Sequence, residues 1–175
     1  MAALAATFSV AVAEKPGPTY AAYVVDTSGK ALGTVTFMGV NGGTQIRVDL
    51  SGLPPGRHGM HIHEFGSCNP LRDTEGKVTP FGAAGGHFDP MNTKTHLGPD
   101  ANGHAGDLPM LEVNYAGIGQ STFFIKSLSV AGPNSIVGKS IVIHANPDNY
   151  TDTPPNGGSG GRIACGEIGA LRTTM

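Results

Sequence analysis

Only two of the 175 residues are cysteine, Cys68 and Cys165, and no Cys-x-x-Cys pair occurs. The thiols are therefore left either a bridge to each other or separate burial. A bridge would close a loop of roughly 100 residues, for which the chain-entropy model gives about 4–5 kcal/mol of stabilisation. It would persist only in an oxidising compartment. Charge of one sign is equally scarce: 11 Lys and Arg stand against 13 Asp and Glu, a formal net charge of −2, with no long run of either kind. Nothing here builds a surface for nucleic acid or an anionic membrane. No segment carries a sustained helical apolar stripe, which argues against a helical architecture. No internal repeat and no sign of a second domain appear.

Turn formers are abundant instead. Glycine (27) and proline (13) are well above their usual share, while the hydrophobic fraction of 39% is ordinary. That combination favours many turns rather than disorder. Residues 2–13, AALAATFSVAVA, are uncharged and end in Ala-Val-Ala, which fits signal-peptide cleavage before Glu14. They are too few to span a bilayer. The basic start of such a leader is missing, since the first Lys or Arg is Lys15; a plain apolar tail is the other reading. The expected organisation is a signal peptide or its remnant over 1–13, then one domain over 14–175.

From Tyr20 onward, β-branched and aromatic residues alternate with turn signals. TYAAYVV leads through DTSGK into ALGTVTFMGV, and Asn41-Gly42 is a hairpin signal before TQIRVDL. HGMHIHEF, LPMLEV, STFFIKSL, SIVIHA and RIACGEI bring the strands to about eight. The expected fold is all-β: an antiparallel sandwich or flattened barrel. Residues 66–107 and 145–161 lack strand character and are rich in Gly, Pro, Asn and Asp. Loops of this length in a small domain are usually functional or disordered.

The histidines fall where such loops meet strands. On a strand through HGMHIHEFGSC, His61 and His63 share one face and Ile62 takes the other, so two imidazoles converge. Residues 85–109 add His87, His96 and His104, with Asp107 three after His104. Three imidazoles and a carboxylate suit tetrahedral zinc, and the carboxylate closes the position that a hydrolytic zinc would keep open for water. His61, His63 and His144 need one more nitrogen to complete the square-planar environment that copper(II) prefers. His87 can provide both of its ring nitrogens and so serve both metals. His58 is left over, as a hydrogen-bonded structural histidine. Gly157-Gly158-Ser159-Gly160-Gly161 satisfies the G-x-S-x-G pattern of a hydrolase, but without the strand-to-helix elbow that chemistry needs.

Together HGMHIHEFGSC, GGHFDP, HLGPDANGHAGDLP, IVIHANPDN and GGRIACGEIG make the chain, from about Tyr20 to Gly169, resemble copper/zinc superoxide dismutase of the bacterial, exported type. The resemblance implies an eight-stranded Greek-key β-sandwich or flattened barrel with two long functional loops. It implies one copper, Cu(II)/Cu(I), on His61, His63, His87 and His144. It implies one zinc on His87, His96, His104 and Asp107. Arg162 matches the arginine that meets the anionic substrate, and His87 would act as acid as well as ligand. Asp148 matches the carboxylate linking a copper histidine, His61, to a zinc histidine, His96. Cys68 and Cys165 match the disulfide beside that arginine.

The implied reaction turns superoxide into dioxygen and hydrogen peroxide, outside the cytoplasm, in the periplasm or beyond. Lys94, Lys77 and Arg72 are candidates for steering the anion, because the loop YTDTPPNGGSGG carries only Asp152. A copper chaperone and a second copy of the chain, as a homodimer, are the protein partners left open; no nucleic acid and no membrane span are expected. The rival from another class is an exported, non-catalytic copper-binding protein on the same fold, which should lack a ligand or the arginine.

Overall fold

The structure is a computed structural model that describes residues 17–171; the expected leader, 1–13, lies outside the described residues. Eleven strands follow in order: β1 (Thr19–Asp26), β2 (Ala31–Val40), β3 (Gly43–Ser51), β4 (Gly56–His58), β5 (Met60–His63), β6 (Leu71–Arg72), β7 (Val78–Thr79), β8 (Leu111–Val113), β9 (Ile118–Ile125), β10 (Ser140–His144) and β11 (Arg162–Ala170). Nine form one sheet in the order β4-β8-β9-β3-β2-β1-β11-β10-β5. All its strand pairs are antiparallel. The two outer strands, β4 and β5, are halves of one segment interrupted at Gly59. The sheet therefore curls until its edges meet, which gives the eight-stranded barrel expected from the sequence. The crossings β3 to β4 and β9 to β10 join strands that are not neighbours, as a Greek key requires.

Period-two patterning drives the curl. In β3 the side chains of Thr44, Ile46, Val48 and Leu50 are buried, while Gln45, Arg47, Asp49 and Ser51 face water. In β5, Met60 and Ile62 join the main core with Phe37, Ile46, Ile141 and Ile143, and His61 and His63 point away from it. β10 is buried throughout because loops cover its outer face. There Val142 packs with Cys165, Phe81 and Ala84 in a second, smaller apolar cluster.

The expected strands survive with shifted ends, and β11 runs on to Ala170. β9 begins at Ile118, and only Leu111–Val113 of LPMLEV pairs. The insert after Cys68 folds as the short hairpin β6–β7. Cys68 and Cys165 are bonded, with Cα atoms 5.7 Å apart, tying this insert to β11. Among the described residues no helix is long and apolar enough to cross a membrane.

Candidate metal centre

The histidines collect where β5 and β10 pass under the long loop that follows the insert. That loop lies along the free edge of β5. The Phe88 amide donates to Ile62 O at 2.9 Å, the Ile62 amide to Gly106 O at 2.8 Å and the Glu64 amide to Gly86 O at 3.0 Å. These bonds set His63 opposite His87 and His61 opposite Asp107. On the other side of β5, Val142 pairs with His61. A register shift between Ile143 and His144 brings His144 opposite Arg162, and such bulges commonly re-aim a side chain at a site.

Two groups of buried ligand atoms result, each within 4.8 Å of one another: His61, His63, His87 and His144, and then His61, His87, His96 and Asp107. The first is the expected copper set. The second contains three of the expected zinc residues, with His61 in the place of His104. His104 stands at the rim, its Nδ1 3.5 Å from Asp107 Oδ1 and its ring 5.3 Å from that of His87. His61 and His87 stack at 3.9 Å between centroids.

Hydrogen bonds decide which nitrogen of each ring is free. His63 Nδ1 donates to Gly85 O at 3.0 Å, and His144 Nδ1 to Gly160 O at 3.0 Å. The two Nε2 atoms are left facing each other at 3.4 Å. His61 Nε2 donates to Asp148 Oδ2 at 2.6 Å, and His96 Nε2 to Asp148 Oδ1 at 2.8 Å, so both Nδ1 atoms are free. Carboxylate and carbonyl acceptors of this kind fix the tautomer of metal-binding histidines. His58, by contrast, spends both nitrogens on carbonyls, those of His144 and Pro54.

The freed atoms show that metals fit. His61 Nδ1, His87 Nε2, His96 Nδ1, His104 Nδ1 and Asp107 Oδ2 are all buried and have no hydrogen-bond partner. His96 Nδ1 lies only 2.9 Å from Asp107 Oδ2, yet the two do not align as donor and acceptor. Both residues belong to the second group of ligand atoms, within 4.8 Å of one another. Buried polar atoms without partners are rare and costly, and a soft-to-borderline cation satisfies this nitrogen-rich set.

Burial also keeps the four rings of the first group neutral. It holds His61 below the ordinary imidazole range and His63 well below it, and lowers His87 to about 4 and His144 to about 3. His96 differs. Burial opposes its charge, but Asp107 and Asp148 outweigh that and push it up to about 9. Both carboxylates stay ionised: desolvation raises them, and their histidine partners pull them below the usual range.

Arg162 donates from Nη1 to Phe81 O at 2.7 Å and from Nη2 to Gly85 O at 2.6 Å. The carbonyl of Gly85 thus holds both the arginine and His63. Phe81 adopts a left-handed backbone, φ 53°, at the end of the insert. The insert therefore shapes the site through Phe81, a role the ligand pattern did not foretell. Arg72 Nη1 is turned inward on its own hairpin, to Gly76 O.

Loop 145–161 supplies more than Asp148. Asp152 accepts the His96 amide at 2.8 Å, so the loop's single charge after Asp148 holds the zinc segment. Tyr150 and Met110 also contact the Asp148 region, and no sequence pattern marked them. Gly157, φ 64°, must be glycine: a Cβ there would overlap Asp148 Oδ1 and come within 2.8 Å of His96 Nε2.

Comparison with known proteins agrees. Residues 31–168 match the family described as copper/zinc superoxide dismutase. The chain is 47% identical over 164 residues to the superoxide dismutase [Cu-Zn] of Deinococcus radiodurans, covering 92% of this chain and 90% of that protein. The Cu/Zn superoxide dismutase structure from Brucella abortus superposes with a TM-score of 0.78 at 41% identity, over 86% of this chain and 99% of the other. A double mutant of a superoxide-dismutase-like protein from Bacillus subtilis superposes at 0.73 with 32% identity, over 86% of this chain and 97% of that one. The chain belongs to the copper/zinc superoxide dismutase family, with copper and zinc as its cofactors and superoxide as its substrate.

Proposed function

We propose that this enzyme disproportionates superoxide at a copper held by His61, His63, His87 and His144, joined through the His87 ring to a zinc held by His87, His96, His104 and Asp107. The observation that carries this reading is His87 itself. Its Nδ1 lies 3.0 Å from Asp107, its buried Nε2 has no hydrogen-bond partner, and the residue belongs to both groups of ligand atoms. Two anions and two protons become one dioxygen and one hydrogen peroxide. Copper, when bound, supplies the one-electron redox chemistry, and zinc, which has none, supplies charge and rigidity.

The protein's own groups do the rest. Arg162 is a cation whose guanidinium is fixed in orientation by two carbonyls, so it draws superoxide to the copper set and holds it there. His87 carries one proton at Nε2 to the departing peroxide, and the second comes from water. Asp107 keeps the His87 ring in place during that exchange, and Asp148 keeps His61 and His96 aimed inward. The rival copper-binding protein should lack a ligand or the arginine; this chain carries all seven ligand positions and Arg162.

We place the enzyme in an oxidising compartment, because the Cys68–Cys165 bridge would not last in a reducing one, and read residues 1–13, uncharged and ending in Ala-Val-Ala, as a signal peptide or its remnant. The experiment is superoxide decay by pulse radiolysis for the copper- and zinc-loaded protein, a His87→Ala variant and the metal-free chain. Fast decay in the loaded protein alone supports the reading; full copper occupancy without turnover overturns it.

A further inference from the structure

Tyr150 links Asp148 to the segment that leaves Asp107, although it belongs to neither group of ligand residues. Its backbone amide donates to Asp148 Oδ1 at 2.7 Å. Its hydroxyl, at the other end of the ring, donates to Leu108 O at 3.2 Å and accepts the Met110 amide at 3.0 Å. Leu108 is the residue after Asp107, so the hydroxyl grips the chain as it leaves the zinc carboxylate. Met110 answers from the same place: its sulfur accepts the Asp148 amide at 3.3 Å.

The ring is packed as well as bonded. A Cβ on Gly98, two residues after His96, would lie 2.9 Å from the Tyr150 ring, so the ring rests on the zinc segment. The His96 ring is 6.3 Å away at 30°. Tyr150 holds a left-handed backbone, φ 56°, which is uncommon for a bulky residue and persists only where surroundings determine it.

We propose that Tyr150 is a positioning residue for both metals, a brace that fixes Asp148 relative to Asp107, with Met110 closing the loop of contacts. It rests on the metal assignment above. Asp148 can orient His61 and His96 together only if its carboxylate cannot drift. The Tyr150 amide holds that carboxylate directly, the Tyr150 hydroxyl ties the same residue to Leu108 and Met110, and the Met110 sulfur holds the Asp148 amide. Losses from such outer groups typically reach about 10–100-fold in metal affinity.

The test uses the full chain with Tyr150→Phe, Met110→Leu, Asp148→Asn and Val35→Ala. Zinc affinity is read by chelator competition, and the copper(II) EPR spectrum is read at saturating zinc. Tyr150→Phe keeps the ring and removes the hydroxyl; it should weaken zinc about 10-fold and change the copper spectrum. Val35→Ala loosens the core far from the loops and should change neither. Unchanged affinity and spectrum in Tyr150→Phe, or equal changes in Val35→Ala, overturn the brace. If Tyr150→Phe does not fold, the Met110→Leu spectrum decides: altered supports the brace, unaltered overturns it. Asp148→Asn separates the levels. If it alters neither reading, the assignment beneath the proposal is wrong; if it alters both while Tyr150→Phe alters neither, only the brace fails.

Discussion

Arg162 Nη2 donates to the carbonyl of Gly85 at 2.6 Å. The same oxygen takes the Nδ1 proton of His63 at 3.0 Å, so the Arg162 guanidinium and one imidazole of the first histidine group share one anchor. Arg162→Ala should therefore leave copper bound, because His63 keeps its acceptor, while kcat/KM for superoxide falls by about 10-fold or more through lost attraction of the anion. Arg162→Lys should restore only part, since a point charge cannot hold both carbonyls as a planar fork does. Pulse radiolysis beside copper analysis checks this; copper lost in step with activity would sink it.

Replacing both Cys68 and Cys165 by serine should lower stability by about 4–5 kcal/mol, given a loop of 97 residues. The insert would also lose its tie to β11, and with it the Phe81 carbonyl that holds Arg162. Urea unfolding reads the first effect and the salt dependence of turnover the second. A stability within 1 kcal/mol of the parent would contradict the entropic argument.

Gly157→Ala should weaken zinc by about 10-fold or more, because the new methyl displaces Asp148 from His96. Chelator competition measures it, and unchanged affinity would show that the loop yields without moving the carboxylate.

Acid should unfold the metal-free chain more readily than the loaded one. Burial lowers His87 to about 4 and His144 to about 3, and holds His63 down too. An unfolded imidazole titrates near about 6.5, so below that pH the unfolded chain binds protons that the fold refuses. The contribution of these neutral rings is complete above about 6.5 and is lost as pH falls toward 4 and 3. His96 has the opposite sign. Its pKa is raised to about 9, so its contribution is complete below about 6.5 and fades as pH rises through 9. The urea midpoint of the metal-free protein should peak near neutrality. Bound metals compete with protons for the same nitrogens, so loading should move the acid limb lower. A flat metal-free midpoint from pH 7 to 4 would rule this out.

Much of the centre was legible because strands obey a period of two. His-x-His on β5 had to present two rings to one side and Ile62 to the core, and it does. The alternation in TQIRVDL and the turn at Asn41-Gly42 likewise marked β3 and the reversal before it. The loops resisted. Their order comes from contacts between residues far apart in the chain, such as Asp152 with His96 and Tyr150 with Leu108, and no local pattern encodes these. The glycine-rich G-x-S-x-G stretch is a turn under Asp148: Ser159 Oγ donates to Asn156 O.

By itself, then, the order of residues determined the barrel and which imidazoles and carboxylates could meet at a metal, because patterning and ligand chemistry act locally or by type, while it left the two thiols either bridged or buried apart. Tertiary structure alone decided which ring nitrogen each histidine leaves free, that Gly85 anchors both Arg162 and His63, and that Tyr150 ties Asp148 to Leu108 and Met110. Those depend on distances of about 3 Å between segments that meet only after the sheet has closed.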